Sequence, residues 1–391
     1  MSRSYSSATN SDHMRNSNRL LLINIVRRKP VSRAELARIT GLTRAAVTII
    51  VSGLIKDGVL FETGSADADF GRKPVLLDLV PSGYYAIGVS ITREGCNVGI
   101  MNIKGVLLHK SAVDLERTAD PIGMIRMIAE SVRMLLKKVS IPNERVLGIG
   151  VNAPGPVDAV RGSILNPPNF SQWNNVDIVK EFSEYFDFPV LLENNSISLA
   201  IAEKNYGRGA ELRNFMLMVV DSGIGAGIVI NDKIYRGAYG FGNEVGHTSI
   251  DFRGELCQCG NRGCLEIYAS IPAVIKDINS RGSSITTWKE IVDRALKGDS
   301  ICKETIEQEA VYLSAGIVNT MNILDLEAVV LTGDIGYKPK MLLESVRDIV
   351  WRSGITRKIN KLIIVSSSIN EDSGVISAAS IIFERFFRGE I

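Results

Sequence analysis

The stretch GNEVGHTSIDFRGELCQCGNRGCLE, residues 242–266, constrains the fold of this 391-residue chain more than any other. It holds three of the five cysteines and one of the three histidines, in the spacing His247-x9-Cys257-x-Cys259-x4-Cys264. Three thiolates and one imidazole complete the tetrahedral ligand set of Zn²⁺ and leave no open position, which is typical of a structural site. The sequence therefore predicts a loop that is held together by a structural zinc ion.

Other uses of this cluster fit the sequence less well. A DNA-reading zinc finger needs further ligands on a following helix, and none follow here. A redox pair is normally Cys-x-x-Cys rather than Cys-x-Cys. The alternative that the three cysteines bind no metal ion also remains. Because the cysteines are few, odd in number and clustered, they favour a reducing cytoplasm over a disulfide framework.

Two glutamates flank the cluster: Glu244 lies three residues before His247, and Glu266 lies two residues after Cys264. A metal ion in the loop would hold both carboxylates in one place. Carboxylates and an imidazole on a rigid loop suit hydrogen bonding to the hydroxyls of a sugar. The alternative is that both glutamates only support the metal site or are solvated.

The N-terminal region has the pattern of a helix-turn-helix. Residues 1–18 contain no apolar core and predict a flexible arm, and a helix follows over 20–28. Ser32 with Glu35 forms a capping box for a second helix. Gly41 permits a tight turn before a third helix, and two strands over 59–63 and 74–80 complete a winged module that we expect to span residues 19–80.

The third helix begins at a capping residue, Thr43. Its apolar residues recur at the spacing of one buried stripe, namely Val47, Ile50, Val51 and Leu54. The small and polar residues at its start suit the major groove of DNA, and the tip of the wing suits the minor groove or the phosphates. The predicted DNA contacts are Ser32, Arg33, Thr43, Arg44, Ala46, Thr48, Arg72 and Lys73. The alternative is an ordinary three-helix domain with solvated charges.

The charge distribution supports a polyanion partner at the N-terminal end. Residues 1–80 carry 12 Lys/Arg against 7 Asp/Glu, whereas the remaining residues carry 33 against 36. A basic module on a mildly acidic body is typical of nucleic-acid binding at one end. No uncharged apolar run of 18 residues is present, so no membrane span is predicted.

Beyond residue 81, strands and helices alternate in two successive α/β sets. We expect a first lobe over 81–195, completed by a C-terminal helix over 374–391, and a second lobe over 196–373. The glycine-rich turn SGIGAG, residues 222–227, would let backbone amides approach a phosphate or another ligand closely. Glycines in an ordinary hairpin turn have the same appearance.

Taken together, these motifs resemble the ROK family (repressors, open reading frames and sugar kinases), in its repressor branch. The pattern E-x-G-H…C-x-C-G-x-x-G-C-x-E over 244–266 carries the resemblance, supported by APGPVD at 153–158 and PPNFSQW at 167–173. The resemblance implies a two-lobe, actin/hexokinase-like α/β fold behind the winged helix-turn-helix, bound zinc, and a sugar site in the cleft. The residues still able to bind sugar hydroxyls are Asn194, Asn195, Glu244, His247 and Glu266.

The sequence departs from the kinases of this family on the phosphoryl-transfer side. Ser90 stands where their phosphate loop has its carboxylate, and Thr92-Arg93 stands where it has glycines. Asn195 occupies the position of the catalytic base, and Asp334 replaces a later glycine. An amide cannot accept the proton of a sugar hydroxyl, and loss of a general base lowers a rate roughly 10²–10⁴-fold. We therefore expect no ATP turnover and assign no catalytic residue.

The resemblance thus implies a sugar-responsive transcriptional repressor, cytoplasmic and of bacterial type, associated with the nucleoid through DNA. We expect a homodimer or tetramer on a pseudo-palindromic operator, with a sugar or sugar phosphate modulating its affinity. The alternatives are a sugar kinase with an unusual base, a regulator controlled by a protein partner, and an activator. The effector sugar and the operator are left open by the sequence.

Overall fold

The computed structural model describes residues 11–65, 74–93, 95–114, 120–168, 170–353, 362–369 and 371–391. The chain packs into two compact units. The first unit lies within residues 1–151, 177–192 and 378–391, and the second within residues 152–176 and 193–377.

The α-helices of the described residues, numbered along the chain, are α1 (Ser11–Val26), α2 (Arg33–Thr40), α3 (Arg44–Lys56), α4 (Pro121–Val139), α5 (Ile178–Ser183), α6 (Asn195–Tyr206), α7 (Glu266–Ala269), α8 (Ile271–Ser280), α9 (Trp288–Leu296), α10 (Ser300–Leu324), α11 (Lys340–Ser353) and α12 (Ser373–Arg388). The strands are β1 (Val31–Ser32), β2 (Leu60–Ser65), β3 (Val75–Leu79), β4 (Tyr85–Ile91), β5 (Cys96–Asn102), β6 (Leu107–Val113), β7 (Val146–Ala153), β8 (Val157–Asp158), β9 (Ser163–Ile164), β10 (Val190–Asn194), β11 (Phe215–Val220), β12 (Ile224–Ile230), β13 (Lys233–Tyr235), β14 (Ala328–Gly333) and β15 (Ile363–Ser366).

Helix α1 is longer than the sequence predicted. Residues 11–18, which we expected to belong to a flexible arm, form its first half. The apolar residues Leu22, Ile23 and Val26 are buried and anchor its second half. Once a helix is anchored, each added residue gains a hydrogen bond at little cost, so a polar segment without a core of its own extends the helix.

The predicted caps of α2 and α3 are confirmed. The hydroxyl of Ser32 accepts a hydrogen bond from the Glu35 amide, and the hydroxyl of Thr43 accepts one from the Ala46 amide. Gly41 ends α2 in the left-handed region at φ 72°. The axes of α2 and α3 are bent by 120° across this short turn, as in a helix-turn-helix.

A three-stranded antiparallel sheet in the order β1-β3-β2 accompanies these helices. Three helices with such a sheet have the arrangement of a winged helix-turn-helix. Arg72 and Lys73, predicted at the tip of the wing, lie outside the described residues. The shared core of helices and sheet comprises Leu22, Val26, Leu36, Val47, Val51, Leu54, Leu77 and Leu79.

A five-stranded sheet in the order β10-β7-β4-β5-β6 lies largely in the first unit, together with α4, α5 and the last part of α12. Strands β4, β5 and β6 are antiparallel neighbours. The last part of α12 packs on this sheet so closely that a Cβ at Gly150 would lie 1.9 Å from the carbonyl oxygen of Ala378. Residues 152–176, which we placed in the first lobe, instead pack within the second unit. Segments that leave a sheet between two strands can join either unit, and local patterns do not distinguish the two cases.

The second unit contains a mixed sheet in the order β13-β12-β11-β14-β15. Strands β11, β14 and β15 are parallel, whereas β12 and β13 form antiparallel hairpins at one edge. One face packs on Ala200 of α6, and the other contributes to a large core with residues of α8–α11 such as Trp288, Leu313 and Val346. Helices therefore cover both faces of the sheet. Among the described residues no single helix has the length and apolarity to span a membrane, and only the bent pair α2 and α3 meets those two criteria together.

Candidate metal loop, sugar cavity and DNA-facing helix

The four predicted metal ligands come together in the second unit. The ligand atoms of His247, Cys257, Cys259 and Cys264 all lie within 4.8 Å of one another. The Sγ of Cys257 lies 3.7 Å from Nδ1 of His247, and the Sγ atoms of Cys259 and Cys264 are 3.6 Å apart. Ligands bound tetrahedrally at Zn–S and Zn–N distances of about 2.3 and 2.1 Å are separated by roughly 3.5–3.8 Å. The cluster thus has the donor set of a closed tetrahedral site, and these two donor pairs have its spacing.

Backbone turns in the loop produce this spacing. The amide of Cys257 donates to the carbonyl of Asn261 over 2.8 Å, and the amide of Gly260 donates to the carbonyl of Cys257 over 2.9 Å. Gly263 adopts φ 63°, and a Cβ there would lie 1.7 Å from the carbonyl oxygen of Asp251. A residue with a side chain could not hold the loop in this shape.

The two thiols at the end of the cluster differ in acidity. Burial raises the pKa of Cys264 to about 12. A hydrogen bond from the Asn261 amide lowers the pKa of Cys259. Thiols bind a metal as thiolates, so a metal that bound to this loop would release protons, and its affinity would fall as the pH falls.

A cavity of about 50 Å³ opens in the second unit near the metal loop. It lies among the start of α6, the β11–β12 hairpin and the glycine-rich segment 240–244. Its lining residues are Pro156, Val157, Asn194, Ser196, Ile197, Gly225, Ala226, Gly240, Phe241, Gly242, Asn243 and Glu244. Of the five predicted sugar-binding residues, Asn194 and Glu244 line the cavity, and Asn195, His247 and Glu266 do not.

The two asparagines at the start of α6 have different roles. Asn194 caps the helix, since its Oδ1 accepts a hydrogen bond of 2.8 Å from the Ser196 amide. Its amide group lies beside Gly155, where a Cβ would come within 2.3 Å of Nδ2. The Oδ1 of Asn195 is buried and has no hydrogen-bond partner among the described residues. A buried acceptor of this kind normally has a donor, and a hydroxyl is one such group.

Three charged groups near the cavity influence one another. Burial raises the pKa of Glu244, the charge of His247 opposes this shift, and the carboxylate of Glu266 adds to it. Glu266 also accepts a hydrogen bond of 2.9 Å from the Ile224 amide in the SGIGAG turn. Glu266 therefore anchors the turn beside the cavity, and Glu244 is the carboxylate open to a ligand.

The glycines of SGIGAG are explained by packing against α6. A Cβ at Gly225 would lie 2.0 Å from the Oγ of Ser196, and a Cβ at Gly227 would lie 2.5 Å from the Cβ of Ala200. From the sequence, this turn could be either a phosphate-binding loop or an ordinary hairpin turn. At these two positions the close approach of helix and hairpin alone requires glycine.

Sequence reasoning missed the aromatic and amide side chains of the segment before Glu244. Phe241 and Asn243 line the cavity. Asn243 adopts φ 74°, and its Nδ2 donates to the carbonyl of Tyr235 over 2.8 Å. Its Oδ1 is buried and has no hydrogen-bond partner in the part of the chain that the structure describes. The run GAYGFGN, with glycines on both sides of the aromatics, was the available signal of a shaped binding loop.

At positions where the sequence departs from the kinases of the ROK family, the residues of this chain are buried or make hydrogen bonds within the chain. Ser90 is buried in β4, and the Thr92 amide donates to the carbonyl of Gly95 over 2.8 Å, which closes the β4–β5 turn. In the second unit, the Asp334 amide donates to Oδ1 of Asp221 over 2.6 Å. A carboxylate at that turn repels the phosphates of a nucleotide.

The predicted DNA contacts fall into two groups. Ser32 and Thr43 serve as helix caps, and the guanidinium of Arg33 forms an ion pair with Glu62, so these three side chains are engaged within the module. Arg44 and Thr48 are exposed on α3, and Ala46 is half-buried. Sequence reasoning missed an exposed residue on the same helix, Ile49, whose relative exposure is 71%.

Residues 86–385 match the family model described as "ROK family". The chain is 29% identical over 368 residues to the xylose repressor of Bacillus subtilis (strain 168), covering 94% of this chain and 95% of that protein. It is 28% identical over 358 residues to the N-acetylglucosamine repressor of Escherichia coli O157:H7, covering 88% and 87%.

Two solved structures share the fold. A ROK family transcriptional regulator, described as a homologue of the Escherichia coli MLC protein, superposes with a TM-score of 0.83 at 24% identity, covering 97% of this chain and 98% of that one. The ROK hexokinase of Thermus thermophilus superposes with a TM-score of 0.67 at 24% identity, covering 78% and 100%. The hexokinase matches a smaller share of this chain than the regulator does.

Proposed function

This chain belongs to the ROK family, and on that premise we propose that it is a sugar-responsive, DNA-binding transcriptional repressor. The observation that carries the proposal is a helix-turn-helix whose second helix presents an open face, on a body that holds a cavity lined by Asn194 and Glu244. The names of the xylose and N-acetylglucosamine repressors support both halves of this proposal.

The DNA-binding half of the proposal rests on α3. Arg44 and Lys56 stand at its two ends and are exposed, so that they can contact phosphates on either side of a major groove. Because Arg33 is paired with Glu62, we give it a supporting role in the module rather than a base contact. A homodimer would place two such helices on a pseudo-palindromic operator.

The effector half of the proposal rests on the cavity. The amide oxygen of Asn243, which has no hydrogen-bond partner among the described residues, and the carboxylate of Glu244 belong to residues that line the cavity and can accept hydrogen bonds from hydroxyls. Phe241 adds an apolar surface suited to the C–H face of a sugar ring. We propose that the effector is a monosaccharide such as a pentose or an N-acetylhexosamine, free or phosphorylated.

Zinc has a structural role in this proposal. His247, Cys257, Cys259 and Cys264 would hold it, leaving no ligand position for a substrate. When bound, the ion supplies a fixed tetrahedral centre for the loop. The chain's own contribution is to place Glu244 and Glu266, which flank the ligands, beside the cavity.

The proposal excludes sugar phosphorylation as the function. Asn195 stands at the base position and cannot remove a proton, while the Asp221 carboxylate occupies the turn around Asp334. The chain would therefore bind a sugar without transferring a phosphoryl group. It would act in the cytoplasm, on chromosomal DNA.

Fluorescence anisotropy tests the proposal with full-length protein and duplex DNA from upstream of its own gene, at fixed salt. We expect tight binding that one sugar or sugar phosphate of a panel weakens. Glu244→Gln should bind the DNA equally well and lose the response, whereas Glu255→Gln, an exposed glutamate of the metal loop, should keep it. Specific binding that no sugar alters would overturn the effector assignment, and ATP consumption with any sugar would overturn the repressor assignment.

A further inference from the structure

The outer face of α3 is apolar at its centre. Ile49 has a relative exposure of 71%, the highest of any large hydrophobic residue in the described part of residues 11–65. Ala45 and Ser52 are exposed beside it. The buried residues Val47, Val51 and Leu54 lie on the opposite side of the helix, so Ile49 is not part of the module's core.

Thr48 adds a second methyl group to this face. Its hydroxyl donates to the carbonyl of Arg44 one turn earlier over 2.8 Å. With the hydroxyl engaged by the main chain, the group that Thr48 offers to a partner is chiefly its methyl. Ala45, Thr48 and Ile49 together form a strip of methyl groups along α3.

The surroundings of the strip are basic. Arg44 and Lys56 are exposed at the two ends of α3. In the preceding residues, the side chains of Lys29 and Arg38 are 72% and 77% exposed, and each has a terminal nitrogen 4.0 Å from Oε1 of Glu35. This charge complements the phosphates that border a groove of DNA, and an apolar strip between cations therefore favours a DNA edge over an apolar protein surface.

One base alone carries an apolar group into the major groove. Thymine presents its 5-methyl group there beside the O4 acceptor, whereas the other three bases present hydrogen-bond donors and acceptors and no methyl group. Covering a donor or acceptor with a methyl strip would leave it without a partner, which is costly. A methyl strip thus accepts thymine and disfavours the other bases.

We propose that Ile49, with Thr48 beside it, reads the 5-methyl group of thymine in the major groove and is a specificity-determining residue of the operator contact. The proposal rests on the DNA-binding function proposed above. It predicts thymine at one or two fixed positions of each half-site.

The test replaces single thymines by deoxyuridine, which removes only the methyl group. The starting probe is the duplex that the full-length protein selects from random-sequence DNA. Each further probe has deoxyuridine in place of thymine at one equivalent position of both half-sites, and the position differs from probe to probe. Loss of one buried methyl contact weakens binding about fourfold, so loss of one in each of two half-sites weakens it about fifteenfold. We expect such a loss for the wild-type protein at one or two positions and at no other thymine.

A double-mutant cycle assigns this loss to Ile49. Ile49→Ala should bind the thymine and deoxyuridine probes with equal affinity at that position, and Ile49→Val should keep part of the preference. Ile39→Ala, at an isoleucine that is 49% exposed on α2, is the matched control and should keep the full preference. Because Ile49 is exposed, its variants should melt at the wild-type temperature.

The outcomes separate the two proposals. If the wild-type protein binds every deoxyuridine probe as tightly as the thymine probe, the inference is wrong and the DNA-binding function stands. If Ile49→Ala retains the thymine preference, the assignment to Ile49 is wrong. If the protein selects no sequence from the random pool, both this inference and the proposed DNA-binding function are wrong.

Discussion

The Nη1 of Arg145 donates hydrogen bonds to the carbonyl of Asp57 over 2.9 Å and to that of Gly83 over 3.1 Å. Asp57 is the residue that follows α3, and Arg145 immediately precedes β7. The guanidinium of Arg145 therefore connects the winged module to the sheet of the first unit by hydrogen bonds. A second tie joins α1 to α12: Asn24 donates to the carbonyl of Phe387 over 2.7 Å. Helices α1 and α3 are therefore attached to the rest of the first unit by defined contacts.

We predict that Arg145→Ala loosens this attachment. Two hydrogen bonds to main-chain carbonyls are lost, which should lower stability by about 1–3 kcal/mol and increase proteolytic cleavage near residues 80–85. Limited proteolysis and thermal unfolding measure the two effects. Arg133→Ala is the matched control, because Arg133 donates to the carbonyl of Tyr185 away from the module. Equal cleavage of both variants would contradict the prediction.

We predict a pH-dependent cost from a buried carboxyl group. Glu309 of α10 is buried without a hydrogen-bond partner among the described residues, and burial raises its pKa well above 4.5. The folded chain therefore keeps a proton that the unfolded chain loses above about pH 4.5, so this group favours folding below that pH and destabilises the fold as the pH rises toward its folded pKa. Over that window the slope is about 1.4 kcal/mol per pH unit.

Glu309→Gln removes this titration and should melt at a higher temperature than the wild type at pH 8, with the difference vanishing near pH 4.5. Glu307→Gln, an exposed glutamate of the same helix, should show no such difference. Thermal unfolding across this pH range measures both. A melting difference between Glu309→Gln and wild type that is independent of pH would show that the carboxyl group is ionised in the fold.

We predict that Gly225→Ala destabilises the second unit by about 1–3 kcal/mol through overpacking. The new Cβ would lie 2.0 Å from Oγ of Ser196 but 3.1 Å from its Cβ, so Ser196→Ala should restore most of the loss. Gly227→Ala is the control, because its Cβ would lie 2.6 Å from the main-chain oxygen of Ser196, which Ser196→Ala leaves in place. Chemical denaturation measures the free energy of unfolding of Gly225→Ala and Gly227→Ala, each with and without Ser196→Ala. Failure of Ser196→Ala to rescue Gly225→Ala would refute the packing explanation.

We predict that Cys259→Ser lowers metal content and thermal stability together. Cys259 is exposed, so without a metal its replacement should cost little; with a structural zinc ion it removes one of four ligands. Metal analysis after dialysis against a chelator, followed by thermal unfolding, makes the comparison. Cys302→Ser, at a buried cysteine of α10 outside the cluster, should lose stability and keep about one zinc ion per chain. A chelated wild-type protein with unchanged melting temperature would contradict a structural role.

Local features of this protein were predictable from its sequence. The caps at Ser32 and Thr43 and the left-handed turn at Gly41 depend on atoms within four residues, and all three are present. The metal cluster was predictable from spacing, because four donors within eighteen residues can meet in one loop. The winged arrangement and the α/β body followed from the periodicity of apolar residues and from resemblance.

Relations between distant segments were decided by the tertiary structure. Phe241 and Asn243 line a cavity with Asn194, which the run GAYGFGN signalled only as a shaped loop, and Glu309 lost its access to water without any signal nearby in the sequence. The exposure of Ile49 likewise depends on which face of α3 the core covers. Hydrogen bonds between near neighbours follow from the residues themselves, so the sequence by itself determined the caps and the metal loop. Burial and cavity shape depend on how segments far apart in the chain pack, so only the tertiary structure determined the cavity.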